Sequence, residues 1–255
     1  MSTTLAIVLP VRIDCTDRLD NLIAVLSWVD RIGCPVILLE ADRAPQVDSI
    51  VAQYKHVSYH FVADDNKVFH RTKYINELLR MANTSIVAVW DTDVILPLSQ
   101  INEAVACLSG QNATIVYPYN GTFYMLSPRQ SSVFRKQYNL LRFQNEKLFS
   151  PMGRITCGGI YLVNRKRYLF LGGDNEKFVG WGPEDAERLH RVQIIGDKVR
   201  WIFSGPLYHL HHARNDWSDA GFQKSLLAMQ KEFVKVCSFD QSEMWAYIHD
   251  ELLPH

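Results

Sequence analysis

Residues 85–93 read Ser-Ile-Val-Ala-Val-Trp-Asp-Thr-Asp, SIVAVWDTD. The first six are apolar on both faces of an extended chain, the mark of a strand covered on each side rather than wetted on one. Such strands belong to the middle of an α/β sheet, whose ligands sit just beyond the carboxyl ends of the strands. Asp91 and Asp93 lie at that end. They can hold a divalent cation, or form a polar turn that caps the next segment. On this stretch alone both readings stand.

Working outward, short apolar runs at 5–11, 35–40, 57–62, 114–119 and 158–163 alternate with segments of helical spacing. That alternation predicts crossover units and a mostly parallel sheet. Asp17 reads as the N-cap of a first helix, with Leu19, Leu22, Ile23, Leu26 and Val29 on its inner face and Gly33 as its stop. Further helices are expected near 47–54, over 72–81, after a cap at Ser99, and over 130–147. Late strands come at 199–203 and 207–210, then terminal helices over 222–236 and 242–252. Phe222, Leu226, Met229 and Phe233 make a stripe expected to pack on the core. There is no internal repeat, low-complexity tract or linker, so one domain over 1–255 is expected.

Lys+Arg and Asp+Glu number 27 each, so the chain has no net charge and lacks the basic footprint of a general nucleic-acid binder. The five cysteines are odd in number, scattered and never in a C-x-x-C pair, which argues against a zinc knuckle or disulfide framework and for a reducing compartment. The N-terminus MSTTLAIVLPVRID has no basic leader and reads as a first strand; no apolar run reaches the length of a membrane span.

Three more clusters can carry chemistry. Residues 208–216, YHLHHARND, hold His209, His211 and His212. Neutral imidazoles suit transition metals, though one or two of these histidines can equally serve as hydrogen-bonding core residues. Residues 180–191, GWGPEDAERLHR, place Trp181 between glycines and Glu184 and Asp185 at a helix start. Acids and a proline at a helix start are ordinary. The flanking glycines are less so, since they let the backbone approach closely and free the aromatic face. A tryptophan face beside an acid can hold a sugar ring while the carboxylate takes a hydroxyl proton. Residues 69–76, FHRTKYIN, offer Arg71 and Lys73 against phosphate charge, or simply a solvated basic helix end.

Taken in order, PVRID, FHRTKYIN, VAVWDTDVILP, GGIYLVNRKRYLFLGG with FVGWGPED, and YHLHHARND frame roughly residues 5–216 and resemble the inverting, metal-dependent GT-A glycosyltransferases, most closely the β-1,4-galactosyltransferase family. The resemblance implies a single GT-A-like α/β domain with a Rossmann-like sheet, residues 219–255 lying outside the match. It implies donor contacts at Pro10, Arg12, Phe69, Arg71, Asp91, Gly159 and Trp181. It implies Mn²⁺ or another divalent cation on Asp93, His209 and His212. Asp185 takes the place of the catalytic base, beside Glu184. His209 stands where those galactosyltransferases carry a methionine, and Ala186 where they carry a third acid. Thr156, two residues before Gly158-Gly159, stands where they carry a tyrosine that crowds the sugar's 2-position. The gap leaves room for an N-acetyl group unless Tyr119 or Phe123 refills it.

The activity so implied is transfer of galactose or N-acetylgalactosamine, or another hexose, from a UDP-sugar to a glycan or glycolipid acceptor in cell-surface polysaccharide synthesis. Such an enzyme is expected in the cytoplasm, with room for peripheral contact at the inner face of the membrane and no nucleic-acid partner. A nucleotidyltransferase, or a catalytically silent nucleotide-sugar binder on the same fold, is the alternative.

Overall fold

The computed structural model describes residues 4–111, 113–151, 155–213 and 220–253. Residues 214–219, which close the YHLHHARND block, lie outside them, as does the side chain of Phe222.

The strands are β1 (Leu5–Val11), β2 (Val36–Asp42), β3 (Val57–Ala63), β4 (Ile86–Trp90), β5 (Val94–Ile95), β6 (Ile115–Tyr117), β7 (Phe123–Met125), β8 (Ile160–Asn164), β9 (Val199–Trp201) and β10 (Leu207–His209). Among the described residues the main sheet has the order β3-β2-β1-β4-β8-β6-β9. All residues of β4 and β1 are buried, as the unbroken apolar runs predict. Neighbours are parallel except β8, which runs against both β4 and β6. This reversal positions the site: Trp90 pairs with Ile160, so the beginning of β8, not its end, lies beside Asp91. β10 is not a late strand of the main sheet but the centre of a small one, order β5-β10-β7. Its ladder to β5 pairs His209 with Val94.

The helices are α1 (Thr16–Val29), α2 (Asp48–Val51), α3 (Arg71–Met81), α4 (Leu98–Gln111), α5 (Pro128–Gln137), α6 (Arg165–Phe170), α7 (Glu184–Ile194), α8 (Ala220–Ser238) and α9 (Gln241–Tyr247). Helix α3 packs on β1 and β2, α4 on β6 and β8, and α7 on β9, α8 and α9. None of the described helices is long and apolar enough to cross a membrane.

Several boundaries depart from the sequence expectation. The cap of α1 is Cys15, with no side-chain bond, and Asp17 sits inside the first turn. Ser99 lies within α4 rather than capping it. The expected helix over 130–147 ends at Gln137, because Tyr138 adopts the left-handed conformation with φ 49°. The turn lets Tyr138 stack edge-on against Phe134, and a 3₁₀ segment at Leu141–Asn145 then buries Phe143 against Tyr208. The helix over 47–54 shrinks to α2. The last helix gives way to a π-helical turn at Ile248–Leu252.

Candidate active site

The Asp-x-Asp turn is locked by its own strand end. The fully buried Trp90 donates its indole N–H to Val94 O at 2.8 Å, and the Asp91 N–H reaches Gly159 O at 2.9 Å. The Leu210 N–H donates to Asp93 O at 2.7 Å, tying β10 to the same turn. Three donors then converge. Asp93, 5% exposed, has one carboxylate oxygen 3.4 Å from His209 Nε2 and the other 3.3 Å from His212 Nε2. Ligand atoms of all three lie within 4.8 Å of one another. Burial pulls the His212 pKa below its ordinary value against the attraction of Asp93, which favours the neutral, ligating imidazole. Burial alone would raise the Asp93 pKa, but His209, Arg18 and His212 together hold it low. His209 Nδ1 is buried without a hydrogen-bond partner. One carboxylate and two imidazoles, converging with Nε2 atoms inward, form a donor set that fits a divalent cation. Arg18 Nη1 lies 3.3 Å from Asp93, a neighbour that the sequence pattern does not announce.

A second group gathers at the ends of β1 and β3. Ile7 N–H bonds to Pro35 O, so alternate residues of β1 face β2, and Pro10 falls on the β4 side beyond the last pair, Val8 with Val89. Its missing N–H breaks no ladder there. Arg12 donates to Ala41 O and Asn66 O, each at 2.8 Å, and to Asp64 at 2.6 Å. It also lies 5.2 Å from the Phe69 ring centroid, and Phe69 stacks on Tyr74. Asp64 is one of the residues that sequence reasoning missed. It accepts from Tyr74 OH at 2.7 Å and from Asn66, and although burial opposes it, these bonds and Arg12 bring its pKa down to about 2. The signal was available, since Asp64 also stands just past the carboxyl end of a strand.

Arg71, first residue of α3, pairs with Asp91 through two nitrogens. Burial raises the Asp91 pKa despite that pair. The structure thus brings the basic helix start and the first aspartate of the turn together.

The third group is the start of α7. Gly180 has φ +80° with Val68 where a side chain would stand, and Trp181 is 58% exposed. Glu184 accepts the Gly182 N–H at 3.1 Å. Its pKa is pushed up to about 8 by desolvation and by the charge of Asp185. Asp185 receives Arg188 Nη1 on Oδ1 at 2.8 Å, and its Oδ2 lies 2.5 Å from where a Cβ on Gly158 would be. Gly158, not Gly159, therefore faces the acid; Gly159 is hemmed in by Val94, Leu207 and Phe123. Asp185 is near enough for its charge to act on Asp91 and Arg71. Thr156 Oγ1 lies 3.2 Å from Tyr119 OH, which in turn donates to Gly158 O at 2.8 Å.

A family model described as the N-terminal domain of galactosyltransferase matches residues 145–213. No curated protein matches the chain. Among solved structures, glucosyl-3-phosphoglycerate synthase from Mycobacterium tuberculosis, in complex with Mn²⁺, UDP and phosphoglyceric acid, is 14% identical with TM-score 0.57, covering 94% of this chain and 81% of that one. A mannosyltransferase from Pyrobaculum calidifontis with GDP-Man and Mn²⁺ is 15% identical, TM-score 0.59, over 97% of this chain and 70% of that one. The catalytic domain of Drosophila β1,4-galactosyltransferase 7, in complex with xylobiose, is 18% identical, TM-score 0.51, over 86% and 77%. The fold of this chain is that of the GT-A glycosyltransferases, and the segment running through Asp185 to His212 matches the galactosyltransferase family model.

Proposed function

We propose that this chain is a metal-dependent, inverting glycosyltransferase that moves galactose or N-acetylgalactosamine from a UDP-sugar to a glycan or glycolipid acceptor in cell-surface polysaccharide synthesis. The observation that carries the reading is one carboxylate. Asp185 stands at a helix start with Oδ1 held and Oδ2 over Gly158, next to the Arg71–Asp91 pair. In this reading Arg12 and Phe69 hold the nucleoside, and Trp181 covers the sugar ring. Asp185 takes the proton of the acceptor hydroxyl as its oxygen attacks the anomeric carbon and the bond to UDP breaks. One direct displacement inverts that centre. A divalent cation on Asp93, His209 and His212 would stabilise the charge left on the diphosphate. Glu184, its pKa raised by burial and by the charge of Asp185, stands beside the base where it can hydrogen-bond a sugar hydroxyl.

Asp185→Asn should keep UDP-sugar binding and lower transfer roughly 10²–10⁴-fold, the usual worth of a general base. Single-turnover transfer at the wild-type rate would falsify the assignment. A catalytically silent binder would release no UDP with or without acceptor, and a nucleotidyltransferase would have no use for Asp185.

For donor choice, the contact of Thr156 Oγ1 with the OH of the buried Tyr119, at 3.2 Å, supports Tyr119 as the side chain that refills the space left by the small threonine. Tyr119→Ala should therefore widen use of UDP-GalNAc relative to UDP-Gal, while Thr156→Ala changes the ratio little. A ratio that follows Thr156 instead, in a screen of both donors, would reverse the roles.

A further inference from the structure

Arg188 lies one turn along α7 from Asp185 and is completely buried. Its guanidinium donates through Nε and Nη2 to Asp174 Oδ1, at 3.0 and 2.7 Å, and through Nε to Tyr168 OH at 3.1 Å. It lies 3.8 Å from the Tyr161 ring centroid, while Tyr161 OH holds the second oxygen of Asp174. Asp174 is itself pinned, its N–H donating to Asn76 at 2.8 Å. The buried cation thus has its buried anion before Asp185 is considered. Its remaining arm goes to Asp185 Oδ1 at 2.8 Å, and Asp185 is the one partly exposed member, with 31% of its side chain accessible. A rigid planar fork that fixes one oxygen of a carboxylate also fixes where the other points. Here the other faces Gly158.

We propose that Arg188 is the positioning residue of Asp185, holding Oδ1 so that Oδ2 is aimed over Gly158. The inference rests on the reading of Asp185 as base. The titratable and charged groups near Asp185 are Glu184 and Arg188 on its own helix, Arg71 and Asp91, and the phenols of Tyr117 and Tyr119. Of these, Arg188 is the one that hydrogen-bonds Asp185 directly.

The test compares Arg188→Lys and the double variant Asp174→Asn/Arg188→Gln with wild type and Asp185→Asn. The lysine keeps a charge for the buried Asp174 but cannot fork to both acids; the double variant leaves neither buried charge unpaired. At saturating Mn²⁺ and donor, kcat should fall roughly 10–100-fold in both, with the donor KM within about twofold. Folded variants with wild-type kcat, while Asp185→Asn is inactive, would overturn the positioning role and leave the base in place. An active Asp185→Asn would instead remove the base. Loss of a cooperative melt in both Arg188 variants would make Arg188 a residue of the fold alone and also overturn the proposal.

Discussion

At the scale of single residues, the tightest constraint is the absence of one carbon. Gly158 stands where any Cβ would meet Asp185 Oδ2 at 2.5 Å. Gly158→Ala is expected to push the carboxylate aside without touching the nucleotide end of the cleft. Transfer should drop by about 10²-fold, the usual loss for an ångström of misplacement, while UDP affinity measured by calorimetry stays the same. A parallel loss of UDP binding would show that Gly158 supports the donor instead. The residues that sequence alone did not yield share a physical cause. Asp64 and Arg188 are charged groups folded into the interior, and in a linear pattern a buried, paired charge reads as a solvated one. Arg188 occupies what looks like the polar face of α7, and only the position of Asp174 reveals that this face is inside. That Asp93, His209 and His212 lie together was anticipated by the order of the blocks and the resemblance they carry; on the Asp-x-Asp turn or the histidines alone, a capping turn or a core hydrogen bond reads equally well.

At the scale of elements, strands covered on both faces were readable to the residue: β1 is the run at 5–11, and β4 differs from the expected run only by Ser85. Direction was not readable. β8 has the same apolar look as its parallel neighbours, and nothing in period or composition distinguishes the two orientations. Nor does the pattern reveal that β10 leaves the main sheet, since a three-residue strand carries too little periodicity. Helix α5 shows the opposite case, a start signal present in the sequence and easily passed over. Ser127 accepts the Gln130 N–H while the Gln130 side chain accepts the Ser127 N–H, with Pro128 at the first helical position. Ser127→Ala should cost about 1 kcal/mol by urea denaturation. A change near zero would mean that α5 is held by Phe134 in the core rather than by its cap.

At the scale of the whole molecule, the candidate metal site joins segments remote in sequence. Asp93 follows β4 of the main sheet, His209 ends the central strand of the small one, and His212 lies three residues beyond it. An ion bound there only in the folded state adds stability, about 2.7 kcal/mol at a hundredfold excess over Kd. For a chain of this size each kcal/mol corresponds to a rise in Tm of roughly 2–4 °C. Mn²⁺ should produce a rise of several degrees, EDTA should reverse it, and His209→Ala with His212→Ala should abolish it. A melting curve indifferent to Mn²⁺ would dissociate the cluster from metal.

The approach to Trp181 is braced from the far end of the chain. Gly182 sits so close to Met229 of α8 that a Cβ would lie 2.8 Å from its sulfur. Lys177 bonds Glu232 and Glu251, and Asn175 bonds Tyr247 at 2.7 Å. Synthesis therefore supplies the partners of the Asp-x-Asp turn, up to Leu210, before those of the tryptophan loop. Whatever Trp181 covers, its loop waits for the two helices that follow.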